Sequence, residues 1–462
     1  MRLSPREIAA ALGAEVVAEG PDEPPRRATI ASNDAGPGDL FFGLRGERRD
    51  GGEFAGAALE AGAWGVVVSP AQRSYLSPDS GRKYDRGGTD GGGAWAFVVE
   101  DPLAAMHSLA RAWRRALGAQ VVGVTGSVGK TSVKDIARAL LPGRVHASPE
   151  NWNTEIGLPL TILEAPGDTE VLVLEMAMRG RGQIAELAAI AEPDVAVITN
   201  VGPVHVELLG SIEAIAAAKA EILDDLPPGG TAVAPFEAGE LEAHLEPIAE
   251  QLRFGPGGDV EAVEVQVADG VTEALVATPL GAQRFHFPFA EAHNLANALA
   301  AIAAGVALGA DLGEMADRAA DIGFSRFRGE RLRLPGGIVL VNDCYNANPV
   351  SMRAALDHLA SLGAERSVAV LGEMGELGPD SAAFHREVGA HARAAGIDFL
   401  LGVGAPARDY DPDELVADPG EASELLAARL EPGDAVLVKG SRSAGLEAVA
   451  EQLPELMAVG DG

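Results

Sequence analysis

The sequence predicts an α/β protein with three domains. Short apolar runs that end in polar residues recur along the chain, and helix-like segments separate them. Continuous apolar runs of this kind are typical of parallel strands buried on both faces. The length of 462 residues is sufficient for two or three separate cores. We place the three domains at residues 1–105, 106–328 and 329–462.

The first domain is predicted to be a small α/β module. Apolar runs at residues 39–46, 64–69 and 94–100 predict strands, and residues 54–63 predict a helix. Residues 77–93 are rich in Gly, Asp, Ser and Arg, which predicts a loop. A further helix is predicted from residue 103 to residue 117.

The central and C-terminal domains are each predicted to contain a sheet. Central strands are predicted at residues 121–124, 170–175 and 193–200. The last two end in Glu175 and Asn200, and ligands of open α/β sheets bind at the carboxyl ends of strands. A second series at residues 338–343, 367–373, 399–404 and 434–440 predicts another α/β layer in the C-terminal domain.

Composition excludes several functions. The net charge of −32 argues against a nucleic-acid partner, which requires a basic face. No apolar stretch approaches the length of about 18 residues that a membrane span needs. The single cysteine, Cys344, excludes an internal disulfide, and with no apolar signal segment at the N-terminus we expect a cytoplasmic protein. Nothing in the sequence supplies Cys344 with a base, so a small residue at a strand end is the better interpretation.

A glycine turn between the strand at 121–124 and the following helix is the strongest single motif. Backbone N–H groups at such a helix start bind phosphate, the lysine adds a compact charge, and the threonine hydroxyl reaches Mg²⁺. The spacing departs from the usual phosphate loop, because Val124 stands where its first glycine is expected. A tight turn without a ligand is the alternative, but the strand context favours nucleotide binding. The motif comprises Thr125, Gly126, Ser127, Val128, Gly129, Lys130, Thr131 and Ser132.

Lysine is scarce in this chain, since only five of the 36 basic residues are lysines. Lys219 has the pattern of a solvated lysine on an amphipathic helix, but a primary amine can also react with CO₂ to form an anionic carbamate ligand. Glu175 could hold Mg²⁺ or cap the next helix. His205 is a lone loop histidine, for which a structural role is the simpler interpretation.

Nine motifs together resemble the Mur ligase family in order and spacing. The likeness runs from about residue 32 to residue 446. Segments 343–349, 371–378 and 439–442 are most similar to the family member that joins D-alanyl-D-alanine to UDP-N-acetylmuramoyl-tripeptide in peptidoglycan precursor synthesis. The motifs lie at residues 125–131, 175–178, 200–205, 219–221 and 293–297, at Arg328, and at residues 343–349, 371–378 and 439–442.

The resemblance implies a UDP-binding N-terminal module, a central P-loop ATPase domain with a parallel sheet, and a Rossmann-like C-terminal domain. It also implies an ATP- and Mg²⁺-dependent amide ligase that forms an acyl phosphate and needs no side-chain nucleophile. Its partners are then the two small-molecule substrates. We expect a monomer.

The resemblance also implies roles for individual residues. Lys130 would hold the β- and γ-phosphates of ATP and act in catalysis with Glu175, His205 and Lys219. The metal ligands would be Thr131, Glu175, His205 and a carbamylated Lys219. The nucleotide would further be contacted by Asn294, Asn297, Arg328, Asp343, Tyr345 and Asn346. The substrates would be contacted by Ser32, Asn153, Thr154, Asn348, Lys439 and Arg442.

Three positions depart from the family pattern. Asn33 replaces an arginine, Gly52 replaces a histidine, and Thr154 replaces an asparagine. Two alternatives therefore stay open. One is a different amide ligase of the superfamily, acting on folate or at another peptidoglycan step, and the other is an inactive nucleotide-binding scaffold. The motifs at 345–348 and 439–442 argue against the first, and the complete set of Lys130, Glu175, His205 and Lys219 argues against the second.

Overall fold

The computed structural model describes residues 1–46, 48–76, 93–203 and 209–459. These residues form four β-sheets with helices packed against them, which confirms the predicted α/β class. Nearly all of the loop predicted at 77–93, and the whole segment 204–208, lie outside the described residues. Within the described ranges, none of the helices combines the length and apolar character that crossing a bilayer requires.

The strands of the described chain are short, with three to eight residues each. They are β1 (Glu15–Ala18), β2 (Arg27–Thr29), β3 (Asp39–Phe42), β4 (Gly65–Val68), β5 (Trp95–Val98), β6 (Gln120–Thr125), β7 (Val145–Ala147), β8 (Val171–Glu175), β9 (Val195–Ile198), β10 (Thr231–Pro235), β11 (Gln251–Phe254), β12 (Glu261–Ala268), β13 (Val271–Thr278), β14 (Gly281–Phe287), β15 (Glu330–Arg333), β16 (Val339–Asn342), β17 (Ser367–Leu371), β18 (Phe399–Val403), β19 (Glu414–Val416) and β20 (Ala435–Lys439).

The α-helices are named in the same way. They are α1 (Pro5–Leu12), α2 (Ala55–Glu60), α3 (Pro102–Leu117), α4 (Lys130–Leu140), α5 (Gly157–Glu164), α6 (Gln183–Ala191), α7 (Ile212–Ala220), α8 (Glu242–Leu245), α9 (Ala292–Ala307), α10 (Leu312–Arg318), α11 (Pro349–Ser361), α12 (Ser381–Ala394), α13 (Pro419–Arg429) and α14 (Glu447–Val459).

The first sheet has the strand order β1-β5-β4-β3-β2. Only β1 is antiparallel to its neighbour, and the other strands pair in parallel. The three predicted strands are β3, β4 and β5. The predicted helix at 54–63 is a shorter α2, preceded by a 3₁₀ turn at Gly51–Phe54. Trp64, Trp95 and Phe97 stack on one another in its core.

The central sheet is wholly parallel, with the order β11-β10-β9-β6-β8-β7. Its predicted strands are β6, β8 and β9. Val122 and Val124 of β6 share one core cluster with α4 and α9, whereas Val121 shares another with α5 and α6. Both faces of the sheet are therefore covered, as its continuous apolar runs predict.

A three-stranded antiparallel sheet follows, formed by β12, β13 and β14, and the sequence interpretation missed it. Its core face carries Ala274, Val276, Phe285 and Phe287 at alternate positions of two strands. This period of two is readable in the sequence. It differs from the continuous runs of the parallel sheets because the opposite face is largely solvated.

The C-terminal sheet has the order β15-β16-β20-β17-β18-β19, with only β15 antiparallel. Its predicted strands are β16, β17, β18 and β20. The boundary predicted after residue 105 falls within α3, and Met106 and Leu109 of this helix share a core cluster with strands of the first two sheets. The domain boundaries at 105 and 328 stay a prediction.

Candidate active site

The glycine turn after β6 has a conformation that only glycine permits. Gly126 has φ +149°, and a Cβ there would lie 1.9 Å from Thr199 Oγ1. Gly129 has φ +83°, and a Cβ there would lie 2.4 Å from Asn297 Oδ1. The backbone N–H groups of residues 127 and 128 donate to the carbonyl and side-chain oxygens of Asn200. Strand β9 thus fixes the turn against the start of α4.

Lys130 and Thr131 follow the turn and point toward different partners. Lys130 Nζ donates to Gly126 O at 2.8 Å, so the ammonium covers the turn where phosphate would bind. Burial lowers the pKa of Lys130, and Glu175 opposes that shift. Thr131 Oγ1 donates to Glu175 Oε2 at 2.7 Å. The hydroxyl and the carboxylate predicted to hold Mg²⁺ are therefore adjacent.

Glu175 ends β8 and is only 1% exposed. Asn153 Nδ2 donates to its second oxygen, Oε1, at 2.7 Å, so both carboxylate oxygens are held. This placement excludes the helix-cap alternative, because α6 begins eight residues later with Gly182 at its N-cap. Oxygen donors of this kind, together with substrate phosphates, are the environment that Mg²⁺ prefers. Across the described ranges no group of three or more His, Cys, Asp or Glu could hold a metal ion by itself.

Lys219 lies on α7 and is only 2% exposed, so it is not the solvated lysine of the simpler interpretation. Among the described residues, none forms a hydrogen bond or ion pair with its ammonium. Burial, with Lys130 as a second cause, lowers the pKa of Lys219 well below its usual value. A neutral amine is the form that reacts with CO₂. His205, its predicted co-ligand, lies in the segment 204–208, outside the described residues.

Asn294 and Asn297 lie on the first turns of α9, beside the glycine turn. Asn297 Nδ2 donates to Asn294 Oδ1, and Asn294 Nδ2 donates to Glu291 Oε2, each at 3.3 Å. The chain of amides ends at a buried carboxylate. This order aligns the two side chains along one wall of the site.

The opposite wall is formed by residues that follow α10 and β16 and by residues at the end of β20. The Arg328 guanidinium lies 4.0 Å from the centre of the Tyr345 ring, and its buried Nε has no hydrogen-bond partner in the described part of the chain. Lys439 forms an ion pair with Asp343 and also donates to Asn346 O at 3.0 Å. Arg442 lies 5.1 Å from the Phe327 ring centre. This wall carries three cationic side chains, of which Lys439 and Arg442 are paired with Asp343 and Glu447.

A cavity of about 1680 Å³ separates the two walls. Most of the predicted site residues line it, together with Glu150, Glu291 and His358, which sequence reasoning did not select. Thr125, Gly126 and Lys219 do not line the cavity. The predicted residues that line it are Ser127, Val128, Gly129, Lys130, Thr131, Ser132, Asn153, Thr154, Glu175, Asn294, Asn297, Arg328, Asp343, Tyr345, Asn346, Asn348, Lys439 and Arg442.

Among the predicted substrate contacts, Asn348 has a hydrogen-bond partner within its own helix, and Ser32 lies away from the cavity. Asn348 is the N-cap of α11, and its Oδ1 accepts from Ser351 N at 2.9 Å. Ser32 lies in the first domain and does not line the cavity. The glycine at position 52 has a packing reason, because a Cβ there would lie 2.5 Å from Gln72 Cγ. Gln72 instead donates its amide to Asp50.

A cluster missed by sequence reasoning joins the two walls. Glu291 Oε1 accepts from Arg331 Nη2 at 2.9 Å and lies 3.2 Å from His358 Nε2. Arg331 Nη2 also lies 2.9 Å from His358 Nε2. Glu291 stands two residues before the quoted motif at 293, but neither Arg331 nor His358 carries a sequence signal. Their proximity arises from the packing of β15 and α11 against the start of α9.

The fold and the phosphate turn define a nucleotide-binding α/β protein, and comparison with known proteins narrows the class. A family model described as the Mur ligase middle domain matches residues 124–305. A second, described as the Mur ligase, glutamate ligase domain, matches residues 327–442. The chain is 39% identical over 437 residues to the UDP-N-acetylmuramoyl-tripeptide–D-alanyl-D-alanine ligase of Synechocystis sp., with 90% of this chain and 89% of the relative covered.

Solved structures agree with the sequence comparison. MurF from Acinetobacter baumannii superposes with a TM-score of 0.85 at 27% identity, over 98% of this chain and 99% of that chain. MurF ligase from Thermotoga maritima, in complex with ADP, gives 0.79 at 30% identity over 94% and 98%. The chain belongs to the Mur ligase family.

Proposed function

We propose that this protein uses ATP to join D-alanyl-D-alanine to UDP-N-acetylmuramoyl-tripeptide in peptidoglycan precursor synthesis. The relatives that carry this activity in their names align with nearly the whole chain. The observation that carries the proposal in the structure is the cavity itself. Across it, the glycine turn and the Thr131–Glu175 pair face the side chains of Arg328, Lys439 and Arg442, which supports the binding of a polyphosphate between them.

The reaction has two steps. The tripeptide carboxylate attacks the γ-phosphorus of ATP, the bond to the ADP oxygen breaks, and an acyl phosphate forms. The amine of D-alanyl-D-alanine then attacks the acyl carbon and gives up a proton, and phosphate leaves as the amide forms. Catalysis of such a transfer is mainly positioning and electrostatic stabilisation. This agrees with the burial that raises the pKa of the Cys344 thiol and keeps it unreactive.

The residues of the two walls have different roles in binding phosphate, metal and nucleotide. Lys130 and the backbone N–H groups at the start of α4 bind the phosphates, and Arg328 binds charge from the opposite side. Mg²⁺, when bound, neutralises charge on the phosphate oxygens. Thr131 and Glu175 would hold it, with His205 and a carbamylated Lys219 as further ligands. Asn294 and Asn297 would face the adenine, and Asp343, Tyr345 and Asn346 would complete the nucleotide site.

An acyl phosphate hydrolyses readily, so the reaction requires the two walls to approach each other and exclude water from it. Ser32 would contact the UDP end, whereas Asn153, Thr154, Asn348, Lys439 and Arg442 would face the peptide. The monomeric state and the cytoplasmic location are part of the proposal on sequence grounds alone.

The direct test is phosphate release from ATP and Mg²⁺, measured together with product mass. We expect release to require both UDP-N-acetylmuramoyl-tripeptide and D-alanyl-D-alanine, and to yield one pentapeptide product per phosphate. L-alanyl-L-alanine and glutamate serve as control acceptors. Phosphate release that does not depend on D-alanyl-D-alanine, or that is equal with glutamate as acceptor, would exclude the proposed reaction. It would favour another ligase of the superfamily. A Lys130→Ala variant with undiminished turnover would remove the glycine turn from the site.

A further inference from the structure

We propose that Lys134 and Asp135 are positioning residues that hold Glu175 and the segment carrying Arg328 in one arrangement. The inference rests on the function proposed above. Both side chains lie on α4, one turn after the phosphate-binding turn, and both are buried. Neither lines the cavity, so neither contacts a substrate. Their partners instead lie on two separate segments, and each of these segments has residues that line the cavity.

Lys134 holds the segment that leads from β7 to Asn153. Its Nζ lies 2.9 Å from Asp135 Oδ1 and donates to Ser148 O at 3.0 Å and to Glu150 O at 3.4 Å. The three N–H groups of the ammonium are thus all used. Glu150 has φ +41°, an unfavourable conformation for a residue with a Cβ. The bond to its carbonyl therefore stabilises a strained backbone.

This segment in turn holds Glu175 from two sides. Ser148 Oγ accepts from the backbone N–H of Glu175 at 3.2 Å. Asn153, three residues beyond the strained position, donates to the Glu175 carboxylate at 2.7 Å. A shift of the Lys134 ammonium would consequently move both contacts. Lys134 acts on Glu175 without touching it.

Asp135 holds the segment that connects the central sheet to the C-terminal sheet. Its Oδ2 accepts from the backbone N–H and from the hydroxyl of Ser325, each at 2.8 Å. Three residues further on, Arg328 lies over the Tyr345 ring. Between them Phe327 has φ +63°, and its carbonyl accepts from Tyr345 N at 3.1 Å. The path of the chain from Ser325 to Arg328 is therefore fixed at both ends.

A buried ion pair is not by itself a good source of stability, because desolvation offsets the attraction. Here every polar atom of the pair has a partner, and the partners belong to the two walls of the cavity. A lysine at this position agrees with that geometry. Its compact ammonium directs three bonds from a single nitrogen to one carboxylate and two carbonyls, whereas arginine spreads its donors over a planar fork.

The test is a double-mutant cycle between Ser325 and Arg328. Ser325→Ala removes one bond to Asp135 and should lower kcat about tenfold, since a hydrogen bond to a charged group is lost. In the Arg328→Ala background the same change should have less than a twofold effect, because Ser325 acts through Arg328. Ser325→Thr keeps the hydroxyl and should restore kcat. Additive effects, or a Ser325→Ala enzyme with unchanged kcat, would overturn the proposal.

A second double-mutant cycle tests the contacts that lead from Lys134 to Glu175. It uses Lys134→Met and Glu175→Gln. We expect Lys134→Met to lower kcat at least tenfold in the unchanged protein and little in Glu175→Gln. Arg366→Met is the matched control, because it also removes a cation from a buried carboxylate, Asp434, at 2.6 Å in the C-terminal sheet. It should lower the thermal midpoint as much but leave kcat unchanged. Equal loss of kcat in both variants would reduce Lys134 to a general stabilising role.

ADP affinity, measured by calorimetry for every variant, separates this inference from the proposed reaction. If the unchanged protein binds ADP but makes no pentapeptide, the proposed reaction fails and the cycles are read on ADP affinity alone. If it makes the product and both cycles are additive, the positioning role fails and the reaction stands.

Discussion

The four lysines in the described part of the chain all lie in or beside the candidate site. Lys130 donates to Gly126 O, Lys134 to Ser148 O, and Lys439 pairs with Asp343. Lys219 is buried near Lys130. Elsewhere the chain uses arginine for nearly all its cations. The lysines remain where a compact ammonium or a reactive amine fits and a planar guanidinium does not.

Lys219 gives the sharpest prediction for a single residue. Lys219→Ala should lose activity about 100-fold, since it removes the carbamate that we propose as a metal ligand. Formate or acetate should restore part of it, because a small carboxylate can enter the space left by the side chain and replace the carbamate. Lys219→Met fills that space and should be inactive without rescue. A fully active Lys219→Ala enzyme, or equal rescue of both variants, would contradict the carbamate.

A substitution at Glu175 can separate the effect of its negative charge from the effect of its hydrogen bonds. Glu175→Gln keeps the size of the side chain and one oxygen for Thr131 or Asn153, but removes the negative charge. We expect kcat to fall roughly 100-fold while the thermal midpoint changes little. The dependence on Mg²⁺ concentration should shift to higher values. Turnover assays across a Mg²⁺ series check this, and an unchanged Mg²⁺ dependence would place the metal elsewhere.

The glycine turn is the element whose conformation depends most directly on residue type, because it requires glycine at specific positions. Gly126→Ala would place a Cβ 1.9 Å from Thr199 Oγ1 at a backbone angle of φ +149°. The turn must then move, so we expect ADP binding to be lost. Gly118→Ala is the matched control, since its φ is +65° but nothing lies within 4 Å of the added Cβ. It should cost about 1 kcal/mol of stability and leave ADP affinity, measured by calorimetry, unchanged.

Predictability differed between elements for physical reasons. The parallel strands β6, β8, β9, β16, β17, β18 and β20 were predictable because burial on both faces makes their sequences continuously apolar. The face that α7 buries could not be predicted from its sequence. Its sequence, Ile-Glu-Ala-Ile-Ala-Ala-Ala-Lys-Ala, is mostly alanine, which packs on either face and leaves no periodicity. The burial of Lys219 therefore depends on tertiary packing that the helix sequence does not encode.

At the scale of the whole molecule, the site is a property of two sheets facing each other. The glycine turn, Glu175 and Asn200 could be predicted, because each stands at the end of an apolar run. The contacts across the cavity could not. Lys439 and Asp343 are 96 residues apart and meet because β20 and β16 pair in parallel. Glu291, Arg331 and His358 meet only where α9, β15 and α11 converge.

That last cluster makes the contact between the two walls sensitive to pH. Burial lowers the pKa of His358, although Glu291 opposes the shift. Burial would raise the pKa of Glu291, but His358 and Arg331 outweigh it and hold that pKa below its usual value. Both groups thus bind protons more weakly in the folded protein than in the unfolded chain. The contribution of His358 to stability is complete at neutral pH and is lost as the pH falls below about 6.5, whereas that of Glu291 is lost only below about 4.3.

We therefore expect the thermal midpoint of the unchanged protein to fall between pH 7.5 and pH 5.5 by more than that of His358→Gln. The difference should be about 1 °C, which corresponds to a change near 1 kcal/mol in a chain of 462 residues. Calorimetry at the two pH values measures it. His391→Gln is the control, because His391 lies on the same C-terminal layer and pairs with Asp357 at 2.7 Å outside the cavity. Equal slopes for the unchanged protein and His358→Gln would show that the cluster does not link the two walls through proton binding.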